Sequence, residues 1–171
     1  MSINIGDFDQ INSESMKIVL AYYFRYILHY KYICTEFKFM DVFISNGENS
    51  IEIECKTSKQ DLKNEIKNKK AKHKLYSGKQ LTSKFIPNKY YICMTPELYS
   101  DPEATKIVNK INNKYGIIII YPNDPMPYVV KEAQNLNNKK ITKNIINKVV
   151  ERLSSENISL RMSLYELRHK K

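Results

Sequence analysis

The pattern of apolar and polar positions divides this chain into alternating helical and extended segments. Met16, Val19, Leu20, Tyr23, Phe24 and Ile27 recur at helical spacing, which predicts an amphipathic helix over residues 13–30 capped by Asn12 or Ser13. Residues 32–39 and 41–44 predict two strands. A third follows over residues 51–56, where Ile51, Glu52, Ile53, Glu54, Cys55 and Lys56 alternate strictly. Alternation turns Ile51, Ile53 and Cys55 toward a core and sets Glu52, Glu54 and Lys56 on the opposite face. Asn46-Gly47 is a strong hairpin signal, so the second and third strands pair antiparallel. With the loop centred near Gly47 and Glu48, facing residue numbers sum to about 95 or 96, and Asp41 falls opposite Glu54 or Cys55.

Ser58 to Asp61 fits a capping box, which predicts a helix from there toward Tyr76 with Leu62 and Ile66 as a narrow core face. A loop with a basic tip over residues 78–88 leads to a strand at 90–94. Residues 102–114 suit a helix with proline at its start and Gly116 beyond its end, and residues 117–121 read as a strand buried on both faces. Pro122, Pro125 and Pro127 predict a rigid turn before a short strand at 128–131. Two helices close the chain, one on Ile141, Ile145, Val149 and Leu153, the other on Ile158, Met162 and Tyr165, with a break at Ser154-Ser155. Additional apolar positions at Leu160, Leu164 and Leu167 either cover the back of the sheet or form a homodimer contact. The class is α/β, with a mixed sheet flanked by helices.

A length of 171 residues suits one such domain, a core over residues 1–135 with a helical extension over 136–171 packed on it. Cys34, Cys55 and Cys93 lie in apolar, strand-like runs without C-x-x-C spacing, which predicts buried thiols in a reducing compartment. No apolar run reaches the length of a membrane span, and the first ten residues lack the basic and apolar regions of a signal peptide. A cytoplasmic protein with no membrane partner is therefore expected.

The net charge of +10 is concentrated. Between Lys56 and Lys89 eleven lysines face only two acids, Asp61 and Glu65, an electrostatic footprint for a polyanion and most economically for nucleic acid. Thirteen tyrosines add stacking surfaces for unpaired bases, although most tyrosines of a domain this size serve the core. No Gly-rich phosphate loop, H-E-x-x-H or zinc-ribbon spacing is present.

The chemistry concentrates on Asp41, Glu54 and Lys56. Two neighbouring carboxylates repel, and one is pushed toward protonation unless a cation intervenes. Removing either acid is therefore expected to relieve repulsion. Oxygen donors from one or two carboxylates, completed by water and substrate phosphate, describe a magnesium site. An adjacent lysine can orient attacking water or stabilise charge on a phosphate, which together amounts to chemistry for cleaving a phosphodiester.

These residues resemble the PD-(D/E)XK nuclease superfamily, whose hallmark is an acid on one strand followed by (D/E)-x-K on the next. Asp41 matches the first acid, Glu54 the second and Lys56 the lysine; Cys55 is the free position, and Met40 stands where the name implies proline. The similarity continues through SKQDLKNEIKNKKAKHKLY toward small phage and bacterial proteins resembling the MmcB-like DNA-repair group, with Ser58, Asp61, Lys72, His73 and Tyr76 at matching positions. It spans roughly residues 11–122, and its core motif is short.

The resemblance implies a restriction-endonuclease-like αβββαβ core. It also implies a deoxyribonuclease dependent on Mg2+ or Mn2+, held by Asp41, Glu54 and the Cys55 carbonyl, with Lys56 positioning water. In the superfamily a glutamate of the first helix often reaches the metal, a role Glu14 could take; complementarity to the helix dipole explains Glu14 equally well. Lys59, Lys63, Lys67, Lys69, Lys70 and Lys72 would hold the nucleic-acid backbone, with His73 and Tyr76 as phosphate or base contacts. DNA is favoured over RNA as partner, in a bacterial cell or phage-infected host, in repair, recombination, restriction or phage replication. The alternative is a non-catalytic nucleic-acid-binding adaptor on the same fold.

Overall fold

The computed structural model describes residues 11–78, 84–122 and 124–169. Helix α1 (Ser13–Tyr22) begins at Asn12, whose Oδ1 accepts the Ser15 amide at 2.9 Å while its own amide donates to Ser15 Oγ at 2.8 Å. A π-helical turn, Tyr23–Ile27, continues it. Of the stripe the periodicity predicts, Met16, Val19, Leu20 and Phe24 are buried and Tyr23 is partly buried, whereas Ile27, at the end of the π-helical turn, is 45% exposed.

Strands β1 (Tyr32–Phe37), β2 (Met40–Ser45) and β3 (Ser50–Lys56) form an antiparallel meander. The β2–β3 turn is held by Asn46 Oδ1, which accepts the amides of Glu48 and Asn49, and by Gly47 at φ +100°. Partners such as Val42 and Ile53 fix the register at a residue-number sum of 95. Asp41 thus comes level with Glu54.

Helices α2 (Lys59–Asn68) and α3 (Lys70–Tyr76) lead to β4 (Lys89–Met94), which lies parallel to β3. The short α4 (Pro96–Ser100) and α5 (Pro102–Ile111) lead to β5 (Gly116–Tyr121), parallel to β4, and β6 (Asp124–Lys131) returns antiparallel at the edge. Strand order follows chain order from β1 to β6. The chain is an α/β protein built on an αβββαβ core with a mixed sheet flanked by helices. Gly116 permits the packing of β4 on β5, since a Cβ there would lie 2.4 Å from the Tyr91 ring.

Each face of the sheet is covered. On one, α1 packs over Val42, Ile44, Ile51, Ile53 and Cys55. On the other, Leu62 of α2, Tyr76 of α3 and Val108 of α5 close over Tyr90, Ile92 and Met94, while Ile145 and Val149 of α6 (Lys143–His169) cover Cys34, Phe37 and Phe43. All seven residues of β3 are consequently buried, the polar face included. The three cysteines are free and buried, and among the described residues no helix is long and apolar enough to cross a membrane.

Several elements differ from the sequence reading. The two closing helices are one 27-residue helix: serine lacks the strength of proline or glycine as a breaker, and Ser155 Oγ donates to the Glu151 carbonyl at 3.0 Å, keeping the turn intact. The distal half of α6 does not cover the sheet, and Ile158, Leu160, Met162, Leu164, Tyr165 and Leu167 are 53–69% exposed. The helix expected from Ser58 to Tyr76 breaks at Lys69, whose φ −106° and ψ 26° leave the helical region. Strand β6 starts earlier than Tyr128 because an edge strand tolerates Pro125 and Pro127. The Thr95-capped α4 lay hidden in five residues too short for a periodic signal.

Candidate functional site

The polar face of β3 carries Glu52, Glu54 and Lys56 beside Tyr90, Ile92 and Met94 of β4. Ser58 Oγ accepts the Asp61 amide at 3.1 Å, so α2 starts directly after β3 and runs back across it. Leu62, Glu65, Lys69, Lys72 and Tyr76 then recur at intervals of three and four residues and face the sheet. Three of the five residues in this inward stripe are charged.

The charged groups close into one network. Lys72 Nζ lies 3.0 Å from Glu52, 2.7 Å from Glu54 and 2.9 Å from Glu65. Lys69 Nζ reaches Glu54 at 2.8 Å and Glu65 at 3.1 Å, and Lys56 Nζ reaches Glu65 at 3.1 Å and Glu54 at 3.4 Å. Three buried carboxylates meet three ammoniums, and the half-exposed Asp61 adds a fourth acid 3.9 Å from Lys56. Glu52 and Glu54 are fully buried, where an unpaired charge would cost several kcal/mol, so the pairing is a condition of the fold. Tyr76 donates to Glu52 Oε2 at 2.6 Å, and Lys72 also stands 5.1 Å over the Tyr90 ring.

Burial and the neighbouring Glu54 push the Glu52 carboxyl up to about 7, against the pull of Lys72 and Tyr76. For Glu65 burial acts upward, but His73, Lys72 and Lys56 hold it well below the usual carboxylate range. Burial would lower Lys72; the three glutamates outweigh it and raise the ammonium above its ordinary value. Lys56 follows the same logic, with Glu65 and Glu54 prevailing over burial.

Asp41 extends this face on β2. Its Oδ2 accepts the Cys55 amide at 2.7 Å, taking over the ladder bond where β2 pairing ends. Burial and the adjacent Glu54 charge raise its pKa. Among the described residues no ammonium lies within ion-pair distance of Asp41, which separates it from the three glutamates.

The β2–β3 register places Asp41 level with Glu54, with Lys56 one pleat further along the same face. The Glu14 side chain is 76% exposed and pairs with Lys17 at 2.7 Å, and Lys17 also pairs with Glu36. Burial lowers the Lys17 pKa, but these hydrogen bonds and the charges of Glu36 and Asp41 leave it raised. Of the expected backbone-binding lysines, Lys63, Lys67 and Lys70 are exposed. Lys59 is engaged by Asp101 at 2.6 Å and Glu103 at 3.0 Å, and Lys69 and Lys72 point into the network.

His73 and Tyr76, expected at the nucleic-acid surface, are buried. His73 Nδ1 lies 2.9 Å from the Tyr115 hydroxyl, and its Nε2 approaches Glu65 at 3.5 Å. Glu52 and Glu65 are participants that motif matching passed over. The signal for Glu65 was its place three residues after Leu62, on the inward stripe of α2.

As a metal centre the donor set fits in residue type and in side. Asp41, Glu54 and the Cys55 carbonyl are oxygen donors at one end of the β2–β3 pair, and two acids there raise each other's demand for a cation. Both Glu54 oxygens nevertheless carry lysine partners, and no cluster of three or more His, Cys, Asp or Glu in metal-holding arrangement occurs among the described residues. A metal held by Asp41 and Glu54 therefore requires Lys69 or Lys72 to withdraw from Glu54.

No family model and no curated protein matches this chain. A solved structure, the SPO1766 protein of unknown function from Silicibacter pomeroyi, is similar with a TM-score of 0.58 at 16% identity, covering 96% of this chain and 98% of that one. That likeness concerns the fold.

Proposed function

We propose that this chain is a metal-dependent nuclease of the PD-(D/E)XK type that hydrolyses phosphodiester bonds of DNA. The observation that carries the reading is the β2–β3 register, which sets Asp41 level with Glu54 and puts Lys56 one pleat further on the same face. Asp41, Glu54 and the Cys55 carbonyl would hold Mg2+ or Mn2+. Such an ion, when bound, supplies Lewis-acid stabilisation of the phosphate and a lowered pKa for attacking water. Lys56 keeps a full positive charge where that water and the scissile phosphate would lie, and its hydrogen bonds orient them.

Lys69 and Lys72 give the site a resting state. They neutralise Glu54 until DNA phosphates compete for their ammoniums, and their withdrawal frees carboxylate oxygens for the ion. Lys63, Lys67 and Lys70, on the exposed side of the same helices, hold the backbone meanwhile.

The balanced network also favours a second reading. Three glutamates matched by three lysines are complete without a metal, as a nucleic-acid adaptor with a purely structural network would need. Cleavage of single-stranded, duplex, flapped and branched DNA by wild type and Lys56→Ala, in magnesium, manganese or chelator, decides between the two. The nuclease gives metal-dependent products that fall by a factor of about 10² to 10³ on losing the ammonium, with DNA binding in calcium retained. The adaptor binds DNA and cuts none of these substrates.

A further inference from the structure

A groove of about 790 Å³ opens beside the network, within the size range of ligand sites. Its lining combines Lys38, Lys69 and Lys72 with Phe39, Met40 and Phe85, and among the described residues it includes no carboxylate. Phe39 stands at the tip of the two-residue β1–β2 turn with 82% of its surface exposed. Its ring is open to solvent on the rim of a groove that also presents the ammoniums of Lys38, Lys69 and Lys72.

The turn itself is held in place. Lys38 adopts φ +59°, in the left-handed region that a lysine rarely enters, and Lys69 Nζ donates to the Phe39 carbonyl at 3.2 Å. The same Lys69 ammonium binds Glu54. One side chain thus ties the groove rim to the candidate catalytic carboxylate. Lys38 Nζ lies 5.4 Å from the Phe37 ring centre and 5.8 Å from that of Phe85. Its charge is disfavoured by burial and by the nearby Lys148, so an anion between these ammoniums would be welcome.

Flat apolar surface ringed by cations matches a base with its phosphates. In a duplex the base faces are stacked on each other and cannot reach Phe39, whereas an unpaired strand offers a face to every aromatic ring it passes. Building on the nuclease reading above, we propose that this groove binds unpaired nucleotides, with a base stacked on Phe39 and the flanking phosphates on Lys38 and Lys69, which makes single-stranded DNA the preferred substrate. Phosphate capture by Lys69 then loosens its hold on Glu54. Strand recognition and opening of the carboxylate site become one event.

The test is fluorescence anisotropy in calcium with a labelled oligothymidylate of about 16 nucleotides and a duplex of equal length. Wild type should bind the single strand at least about tenfold more tightly, and Phe39→Ala should weaken that binding roughly tenfold, the order expected for one lost stack, while duplex binding stays unchanged. The thermal midpoint should not move, because the ring is exposed. Equal affinity for both forms, or single-strand binding indifferent to Phe39→Ala, overturns the groove assignment and leaves the nucleic-acid reading standing. Absence of binding to either form overturns both.

Discussion

Lys72 Nζ stands 2.7 Å from Glu54 Oε1, and the same ammonium holds Glu52 and Glu65. One lysine thereby links the motif strand to both helices that cover it. Its replacement by methionine would leave three buried carboxylates with only Lys56 and Lys69. Lys72→Met should lose about 3–5 kcal/mol of stability in urea denaturation, the range for breaking a buried ion pair from one side. Glu54→Gln should also destabilise, by stranding ammoniums. The sequence led to the opposite expectation for Glu54, since it revealed repulsion from Asp41 and not three lysine partners.

Glu52 makes stability depend on pH. Its carboxyl is raised from 4.5 to about 7 in the folded chain. Below the lower value both folded and unfolded chains are protonated, and the group is neutral to stability. Between the two values only the folded chain keeps the proton, so stability falls as pH rises, and above the upper value the full penalty remains, on the order of 3 kcal/mol at most. Chemical denaturation at pH 5 and pH 8 should show Glu52→Gln stabilising the protein at the higher pH relative to wild type, with a smaller gap at the lower.

Exposed and inward lysines should separate in their effects. Lys63, Lys67 and Lys70 face solvent, so their joint replacement by glutamine should leave the thermal midpoint nearly unchanged. DNA affinity should weaken across all sequences, and the slope of log affinity against log salt should become shallower by about 2 to 3. A steep slope after the change would assign this face to solvent alone.

The distal half of α6 supports a prediction about assembly. Leu160 and Leu164 are 59% and 53% exposed on consecutive turns, and burying such a stripe against a second copy would stabilise a homodimer. If the chain pairs through this helix, wild type should sediment as a dimer and Leu160→Glu with Leu164→Glu as a monomer of unchanged helicity. A wild-type monomer at high concentration would contradict the pairing.

Much of this arrangement was legible in the residues. Strict alternation from Ile51 to Lys56 and the Asn46-Gly47 turn were enough to put Asp41 opposite Glu54 or Cys55, because a period of two and a short loop leave a register freedom of about one residue, and the fold selects Glu54. Burial of the polar face was not legible: alternation reports two faces, and whether the second meets water depends on helices that arrive later. Leu62, Glu65, Lys69, Lys72 and Tyr76 share a helical face, but its charged members do not count as apolar in a search for periodicity. Glu14 pairs with Lys17, three residues further along the same helix, a contact that helical spacing also makes readable.

The nuclease reading stands or falls most directly on Asp41, which can be altered without dismantling the lysine network. Burial and Glu54 disfavour its charge, and asparagine can still accept the Cys55 amide, so Asp41→Asn should fold at least as stably as wild type. The decisive measurement is cleavage of single-stranded DNA by both proteins in manganese and in chelator. The account predicts manganese-dependent products from wild type and none from Asp41→Asn. Wild type that binds DNA without cutting it in manganese, or an Asp41→Asn protein that cuts at the wild-type rate, would contradict it.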